Sequence, residues 1–439
     1  MTTALIDQIA LQEIIGAEAG ALLRDDLTAV SAASDLTEDT TVALCLTDPV
    51  ELIRAVIALD GTVGTLLLLS SSLDAETIEA LVAKVGATTL ITDRDGLVAA
   101  GSARAFDDAV TRGSREKTKT TQWLMTTSGT TGIPKIIPHT LKSLTRSVYR
   151  FQPSDAPSWG LLYDPTRFAG LQVVLQALIG GGRLIATDTH GTLKEQLGQL
   201  ASNGVTFLSA TPTLWRRILM TPGHRELPLK QVTLGGETAD QSTLDALKSA
   251  FPEARVTHIY ASTEAGVGFS VKDGKAGFPA SYLDLAPGGT KLKIVEGCLW
   301  LRPATGAPQK SAEVEVDDAG YVRSGDMIEE AGDRLLFLGR ESGLINVGGV
   351  KFYPETVEDV LNSLEGVALA QVSTKKSPIT GTLVVAEVQA EPETDQAAVK
   401  AAILEACREK LVREAVPAVI RFVEGFETNA AGKLVRKGK

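Results

Sequence analysis

The sequence predicts an α/β protein: a large N-terminal domain of mixed α/β sheets over residues 1–340, followed by a small α+β domain over residues 341–439. Short Val, Leu, Ile and Thr runs alternate with amphipathic segments along the first part, the alternation that builds sheets covered by helices. The string Thr127-Ser-Gly-Thr-Thr-Gly-Ile-Pro-Lys135 follows Trp123-Leu-Met-Thr126, which reads as a strand end, and an α/β sheet presents its ligand crevice at such a point. After Gly339-Arg340 come two amphipathic helices and one strand-like run within about a hundred residues, enough for a separate small domain.

In chain order, residues 62–69 (Thr-Val-Gly-Thr-Leu-Leu-Leu-Leu) read as a buried strand. Residues 74–85 follow as a helix with Asp74 as N-cap and Ile78, Leu81 and Val82 on one face. Residues 88–92 (Thr-Thr-Leu-Ile-Thr) make the next strand and complete a βαβ unit. Further units continue through 171–178 with 183–186, and through 205–209. Residues 112–120 are polar and read as a surface linker ahead of the glycine-rich string. In the second domain, Pro354, Glu355 and the stripe Val357, Val360, Leu361 and Leu364 specify a helix that opens on proline. Residues 395–413 repeat the helical pattern through Val399, Ile403, Cys407 and Leu411, and residues 383–388 between the two are strand-like.

The 43 basic and 54 acidic residues leave a formal charge of −11, which argues against general nucleic-acid or anionic-membrane binding. Anionic ligands must then be held by locally placed Lys and Arg. Cys45, Cys298 and Cys407 lie far apart, with neither a disulfide framework nor a metal spacing, so a reducing cytoplasm is expected. His139, His190, His224 and His258 are equally scattered and indicate no zinc site. The N-terminus is acidic and polar from Asp7 onward, without the basic-then-apolar order of a signal peptide. The most apolar stretch, 52–69, is interrupted by Arg54 and Asp60, so neither half spans a bilayer and a soluble protein is expected. No motif speaks to the oligomeric state.

The glycine-rich string carries the clearest chemistry. Thr127, Ser128, Gly129, Thr130, Thr131, Gly132 and Lys135 combine backbone N–H groups, hydroxyls and a cation, the donors a polyphosphate takes. Pro134 separates the glycines from Lys135 and no Ser or Thr follows the lysine, so this is not the motif of a P-loop ATPase. On its own the string is equally a glycine-rich surface loop. Downstream stand Gly235-Gly-Glu237, Tyr260-Ala-Ser-Thr-Glu264, Ser324-Gly-Asp326, Gly339-Arg340 leading to Ile345-Asn-Val-Gly-Gly349, and Asn429-Ala-Ala-Gly-Lys433. In this order they resemble the core motifs of the adenylate-forming superfamily of acyl- and aryl-CoA synthetases, carrier-protein adenylation domains and beetle luciferase, most of all an acyl- or aryl-CoA ligase.

The resemblance implies a large domain with a small mobile lid and an enzyme that uses ATP, Mg²⁺ and coenzyme A. A small-molecule carboxylic acid would be activated as an acyl-AMP and then passed to the CoA thiol. It implies that Thr127, Ser128, Gly129, Thr130, Thr131, Gly132 and Lys135 line the phosphates, with Gly236 and Glu237 also at the nucleotide. Thr263 would contact the α-phosphate, Glu264 would hold Mg²⁺, Tyr260 would stack on adenine, and Asp326 would take the ribose hydroxyls. Arg340 would stand near ribose and phosphate, and Lys433 would bridge the substrate carboxylate and the α-phosphate. Gly348, Gly349 and Lys351 would line the CoA channel, and Arg167, Phe168 and Gly235 are the acid-pocket candidates.

Plainer readings stand beside these. Tyr260 is also a strand-end tyrosine, Ser324-Gly-Asp326 a turn, Gly348-Gly349 a hairpin turn, and Lys351 a solvated lysine. Lys433 opens a basic tail with Arg436, Lys437 and Lys439, Arg167 is equally an exposed structural arginine, and Asp164 caps a helix.

The chain also departs from the superfamily pattern. It is short at the N-terminus and between Glu264 and Asp326. Gly297-Cys-Leu-Trp300 lacks the usual glutamate, and Ser342 occupies the hinge position where Asp or Lys is usual. Arg167 stands where many CoA ligases carry His or an aromatic. Phe168 replaces the aspartate that amino-acid adenylation domains use, which disfavours an amino-acid substrate. A stand-alone ligase loading carrier-protein phosphopantetheine or an amine is the alternative, and so is a non-catalytic binder of nucleotide or acyl-AMP.

Overall fold

Strands buried on both faces need unbroken aliphatic runs, and Thr41–Cys45, Thr65–Leu68 and Thr89–Thr92 supply them. In the computed structural model they lie in a 6-stranded sheet ordered Ile136–Thr140, Gln122–Thr126, Thr65–Leu68, Thr41–Cys45, Thr89–Thr92, Ala103–Arg104. All neighbours are parallel except the first pair. The structure describes residues 4–17, 20–97, 103–113, 119–127, 134–189, 191–263, 266–304, 314–377, 381–428 and 433–435. The chain divides into two compact units. The first comprises Met1–Ser209, Arg225–Thr233 and Ala261–Val267; the second comprises Ala210–His224, Leu234–Tyr260 and Gly268–Lys439. The boundary expected after Arg340 falls inside the second.

Within the first unit, the expected helix is Ala75–Val85. Asp74 accepts from the Thr77 N–H at 2.7 Å, Ile78, Leu81 and Val82 are buried, and Gly86 ends the helix at φ +63°. The strands it joins are not neighbours, because Thr41–Cys45 pairs with both. The strand expected over 62–69 begins only at Thr65. The Thr62 and Val63 N–H groups turn back to the Leu59 carbonyl at 2.9 and 3.1 Å, and a Cβ on Gly64 would stand 2.3 Å from the Glu38 carbonyl oxygen. The polar segment 112–120 is not all linker, since Val110–Arg112 pairs antiparallel with Val30–Ala32.

A further run of strands in this unit is ordered Ala21–Leu23, Leu11–Ile15, Gly182–Ala186, Ser158–Leu161, Phe207–Ala210. Helix Phe168–Gly180 is apolar on nearly every side and belongs to the same hydrophobic core. Its start differs from expectation. Asp164 does not cap the helix; its carboxylate accepts from the Thr166 N–H at 2.8 Å and the Thr166 hydroxyl at 2.6 Å in a local turn. Arg167 therefore occupies the cap position, and its N–H donates to the Asp164 carbonyl at 3.1 Å.

The second unit holds helices Pro212–Met220 and Gln241–Ala250 and a 5-stranded antiparallel sheet. That sheet is ordered Phe278–Pro279, Arg334–Arg340, Val322–Ala331, Cys298–Arg302, Lys291–Val295. Beyond it, helices Pro354–Asn362 and Gln396–Lys410 cover a 3-stranded sheet of Val367–Ser377, Gly381–Ala390 and Val419–Phe422. Val357, Leu361, Val399, Ile403 and Cys407 pack there against Val372, Ala386 and Val388, the stripe read from the sequence.

Asp60, which interrupts the apolar stretch 52–69, is itself buried, at 3% exposure. Its carboxylate accepts from the Leu5 N–H at 2.8 Å and the Trp123 indole N–H at 2.9 Å, tying the N-terminal segment to the strand that feeds the glycine-rich string. Among the described residues no helix is long and apolar enough to cross a membrane. Asp60→Ala strands two buried donors, each worth about 1–3 kcal/mol. Urea unfolding should show a loss in that range or above, and a loss under about 0.5 kcal/mol, the level of an ordinary surface change, would contradict the assignment.

Candidate active site

In the first unit, strand Gln122–Thr126 turns back as Ile136–Thr140, with Thr126 opposite Ile136. The glycine-rich string thus lies between two antiparallel strands. The Thr127 N–H donates to the Lys135 carbonyl at 3.0 Å. Thr127 is half-buried and Lys135 exposed. Ser128, Gly129, Thr130, Thr131 and Gly132 lie outside the described residues, and so does Glu264, the expected Mg²⁺ ligand.

Arg167 is not an exposed arginine. Its Nη1 donates to the Thr126 carbonyl at 3.1 Å and to the Thr126 hydroxyl at 2.8 Å, while its buried Nε has no hydrogen-bond partner among the described residues. Burial lowers the pKa of the guanidinium, with Asp164 acting in the opposite sense. The neighbouring Phe168 is buried, with its ring 5.9 Å from that of His139. His139 hydrogen-bonds the Thr263 backbone, which brings the expected α-phosphate contact to the same region. Arg146, half-buried, donates to the Val267 carbonyl at 2.7 Å, and a Cβ on Gly266 would meet its Nη2 at 2.9 Å. Two guanidiniums are therefore held here on carbonyl and hydroxyl oxygens.

In the second unit, three expected residues meet. Asp326 stands opposite Arg340 across the ladder, with Arg340 Nε 3.0 Å from its carboxylate. The Tyr260 hydroxyl donates to the same carboxylate at 2.5 Å. Ser324-Gly-Asp326 lies within strand Val322–Ala331 rather than in a turn, and the Ser324 hydroxyl accepts from the Asp326 N–H at 3.0 Å. The Tyr260 ring lies nearly parallel to Phe269 and Phe337, at 5.2 and 5.3 Å between centroids. Burial and the Asp326 charge raise the tyrosine pKa well above its ordinary value, so it remains a neutral donor.

Gly235 ends strand Gln231–Gly235, and Gly236 follows at φ +83°, a conformation that favours glycine. A Cβ there would stand 3.4 Å from the Lys433 Cε, so the Lys433 side chain passes over this turn. The Glu237 carboxylate accepts from the Thr213 N–H at 3.0 Å and from the Leu434 backbone, and it faces the Lys433 charge. Burial nevertheless raises its pKa.

Gly348 and Gly349, at φ +60° and +94°, form a two-residue turn between Ile345–Val347 and Val350–Phe352, the hairpin that was the plainer reading. The turn is exposed, as are Lys351 and Ser342, the latter in the short helical turn Glu341–Gly343. Sequence reasoning missed His139, Arg146, Phe269, Phe337 and Thr213, which carry no motif and reach these positions only through folding.

His139 is pushed down to about 4, chiefly by burial, with the Thr263 hydrogen bond opposing. The folded state therefore binds this proton less readily than the unfolded chain, whose histidine titrates near 6.5. The stability associated with the neutral ring is fully present above about 6.5 and is lost as pH falls towards 4. Histidine NMR on wild type and His139→Gln should assign a resonance titrating near 4 to this residue; a midpoint near 6.5 would contradict its burial.

A model of the AMP-binding enzyme family matches residues 29–298, and a model of the AMP-binding enzyme C-terminal domain matches residues 356–433. The 2-succinylbenzoate–CoA ligase of Listeria monocytogenes serotype 4b (strain F2365) is 28% identical over 333 residues, covering 71% of this chain and 68% of the relative. Among solved structures, the anthranilate CoA ligase AuaEII in complex with anthranoyl-AMP aligns with a TM-score of 0.78 at 17% identity, covering 98% of this chain and 95% of that one. The o-succinylbenzoate CoA synthetase of Bacillus subtilis, in complex with its acyl-adenylate, aligns with a TM-score of 0.73 at 19% identity over 100% of both chains. These two likenesses establish a shared fold.

Proposed function

Because the chain belongs to the AMP-binding enzyme family, we propose that it is an acid–thiol ligase that activates a carboxylic acid with ATP and transfers the acyl group to coenzyme A. A carboxylate oxygen attacks the α-phosphorus, the bond to the β-phosphate breaks, and pyrophosphate leaves. The CoA thiolate then attacks the acyl carbon and AMP departs. The observation that carries this reading is Lys433 beside Gly236 and Glu237, where motifs separated by nearly the whole second unit converge. Since the family includes 2-succinylbenzoate–CoA ligases, 2-succinylbenzoate is the first acid to test, followed by other aryl acids.

In this reading the 127–135 string holds the β- and γ-phosphates, and Thr263 meets the α-phosphate. Asp326 accepts both ribose hydroxyls, which frees the Arg340 guanidinium to turn towards phosphate, and the Tyr260 ring takes adenine. Mg²⁺ on Glu264 would neutralise triphosphate charge. Lys433 bridges the carboxylate and the α-phosphate, stabilising charge that grows in the transition state. Residues 341–439 then turn as a lid about Ser342, so that the Gly348-Gly349 turn lines the thiol's path and Lys351 meets a CoA phosphate. The setting is cytoplasmic.

The test is acid-dependent ATP–pyrophosphate exchange in Mg²⁺, followed by acyl-CoA formation on adding CoA. Exchange without thioester formation from CoA would favour a carrier-protein or amine acceptor, and no exchange with any acid would overturn the ligase reading. Lys433→Ala should slow exchange by on the order of 10²–10³-fold, as for loss of one charge-stabilising donor, while acyl-CoA formation from supplied acyl-AMP is largely spared. Equal losses in both half-reactions, with the protein folded, would refute the bridging role. Arg167, held by Thr126 with its Nε unpartnered among the described residues, is proposed to face the acid or the incoming acceptor. Arg167→Leu should then raise the KM for acid or CoA selectively, and unchanged kinetics for both would remove it from the pocket.

A further inference from the structure

The family resemblance assigns Glu237 to the nucleotide, but its contacts point elsewhere. The carboxylate is clamped from one side by helix Pro212–Met220, where the Thr213 N–H donates at 3.0 Å and the Thr213 hydroxyl adds a second bond. From the other side come the Leu434 backbone and the Lys433 charge. The segment that carries them is itself built against this helix. Thr428 bridges Leu434, the Val435 N–H donates to the Glu427 carbonyl at 3.0 Å, and Arg217 of the helix donates to the Thr428 hydroxyl at 3.2 Å. Gln371 of the lid sheet donates to the Val435 carbonyl at 3.3 Å.

We infer that Glu237 is a positioning residue that docks the Lys433 segment on helix Pro212–Met220 and aims the Lys433 ammonium over the Gly236 turn. The geometry is selective for this role. Gly236, at φ +83°, turns the chain beneath the lysine stem, within ordinary van der Waals reach of its Cε. A buried carboxylate is costly unless paired, so Glu237 and Lys433 favour one lid orientation over any in which they part. Burial raises the Glu237 pKa even with these donors in place, so the site is poorly suited to a carboxylate that has lost them. The same contact therefore holds the lid for the first half-reaction and must be broken before the second. The inference rests on the ligase reading for its kinetic consequence, but the docking itself does not.

Glu237→Gln keeps the size and the acceptor oxygen while removing the charge. The kcat of pyrophosphate exchange should fall roughly tenfold or more while the KM for ATP stays within about twofold, because a group that acts through Lys433 does not bind nucleotide. In the Lys433→Ala background the same substitution should cost nothing further, since its effect passes through the missing ammonium. Lys433 acetylation by a mild amine reagent, followed by mass spectrometry, should quicken several-fold in Glu237→Gln, and Glu237→Asp should restore part of the protection. A raised KM for ATP with unchanged kcat would return Glu237 to the nucleotide, and additive losses in the double variant would make its role merely structural. Unchanged Lys433 labelling in Glu237→Gln would overturn the docking. The labelling needs no turnover, so it decides the docking even where exchange with every acid fails.

Discussion

In the proposed reaction two anions must meet, a carboxylate and a triphosphate, on a chain whose own formal charge is −11. Two like unit charges 4 Å apart repel by about 4 kcal/mol at the effective dielectric of a protein site, so placed cations decide whether the encounter occurs. The structure holds its cations in two ways. Arg167 and Arg146 donate to uncharged oxygens, Thr126 for one and Val267 for the other, and Asp164 adds a favourable charge near Arg167. Arg340 and Lys433 instead stand beside the carboxylates of Asp326 and Glu237. A ribose diol on Asp326 or a substrate carboxylate at Lys433 competes with that pairing. Binding energy is then available to reorganise the site rather than only to fill it.

The second unit turns this electrostatics into a mechanical problem. Its lid carries Lys433 at one place and the Gly348-Gly349 turn at another, and the hairpin of that turn packs into the lid's own core through Ile345 and Phe352. In the proposed reading one lid carries both groups, and choosing between them is a matter of orientation. Ser342, in a short exposed helical turn after Arg340, brings no charge to the place where the family usually has one. The Glu237 clamp is proposed as one contact that favours a single orientation.

Much of this could be read in the sequence, for physical reasons. Helices announced themselves by caps and stripes: Asp74 and its buried face, Pro354 with Val357 and Leu361, Asp395 with Val399, Ile403 and Cys407. The strand Val367–Ser377 did not, because its second half, Ser-Thr-Lys-Lys-Ser, has no aliphatic run and is specified by pairing with Gly381–Ala390. Motif residues far apart in the chain did converge, as Tyr260, Asp326 and Arg340 do. What the sequence hid was the environment of each. Asp60 read as a charge breaking an apolar run and is a buried acceptor for Leu5 and Trp123. Asp164 read as a helix cap and closes a turn that delivers Arg167 to Thr126. In both cases the partner lies on another element, beyond the reach of local pattern.

The most direct measurement follows an atom. With both carboxylate oxygens of the acid labelled with ¹⁸O, attack on the α-phosphorus and later cleavage of the acyl–phosphate bond by the thiol leave one labelled oxygen on AMP. Mass spectrometry of the nucleotide after turnover with ATP, Mg²⁺ and CoA should find that single label in AMP and its partner in the thioester. Label appearing in inorganic phosphate alongside ADP, or AMP formed without any label, would contradict an acyl-adenylate intermediate and with it the bridging role of Lys433.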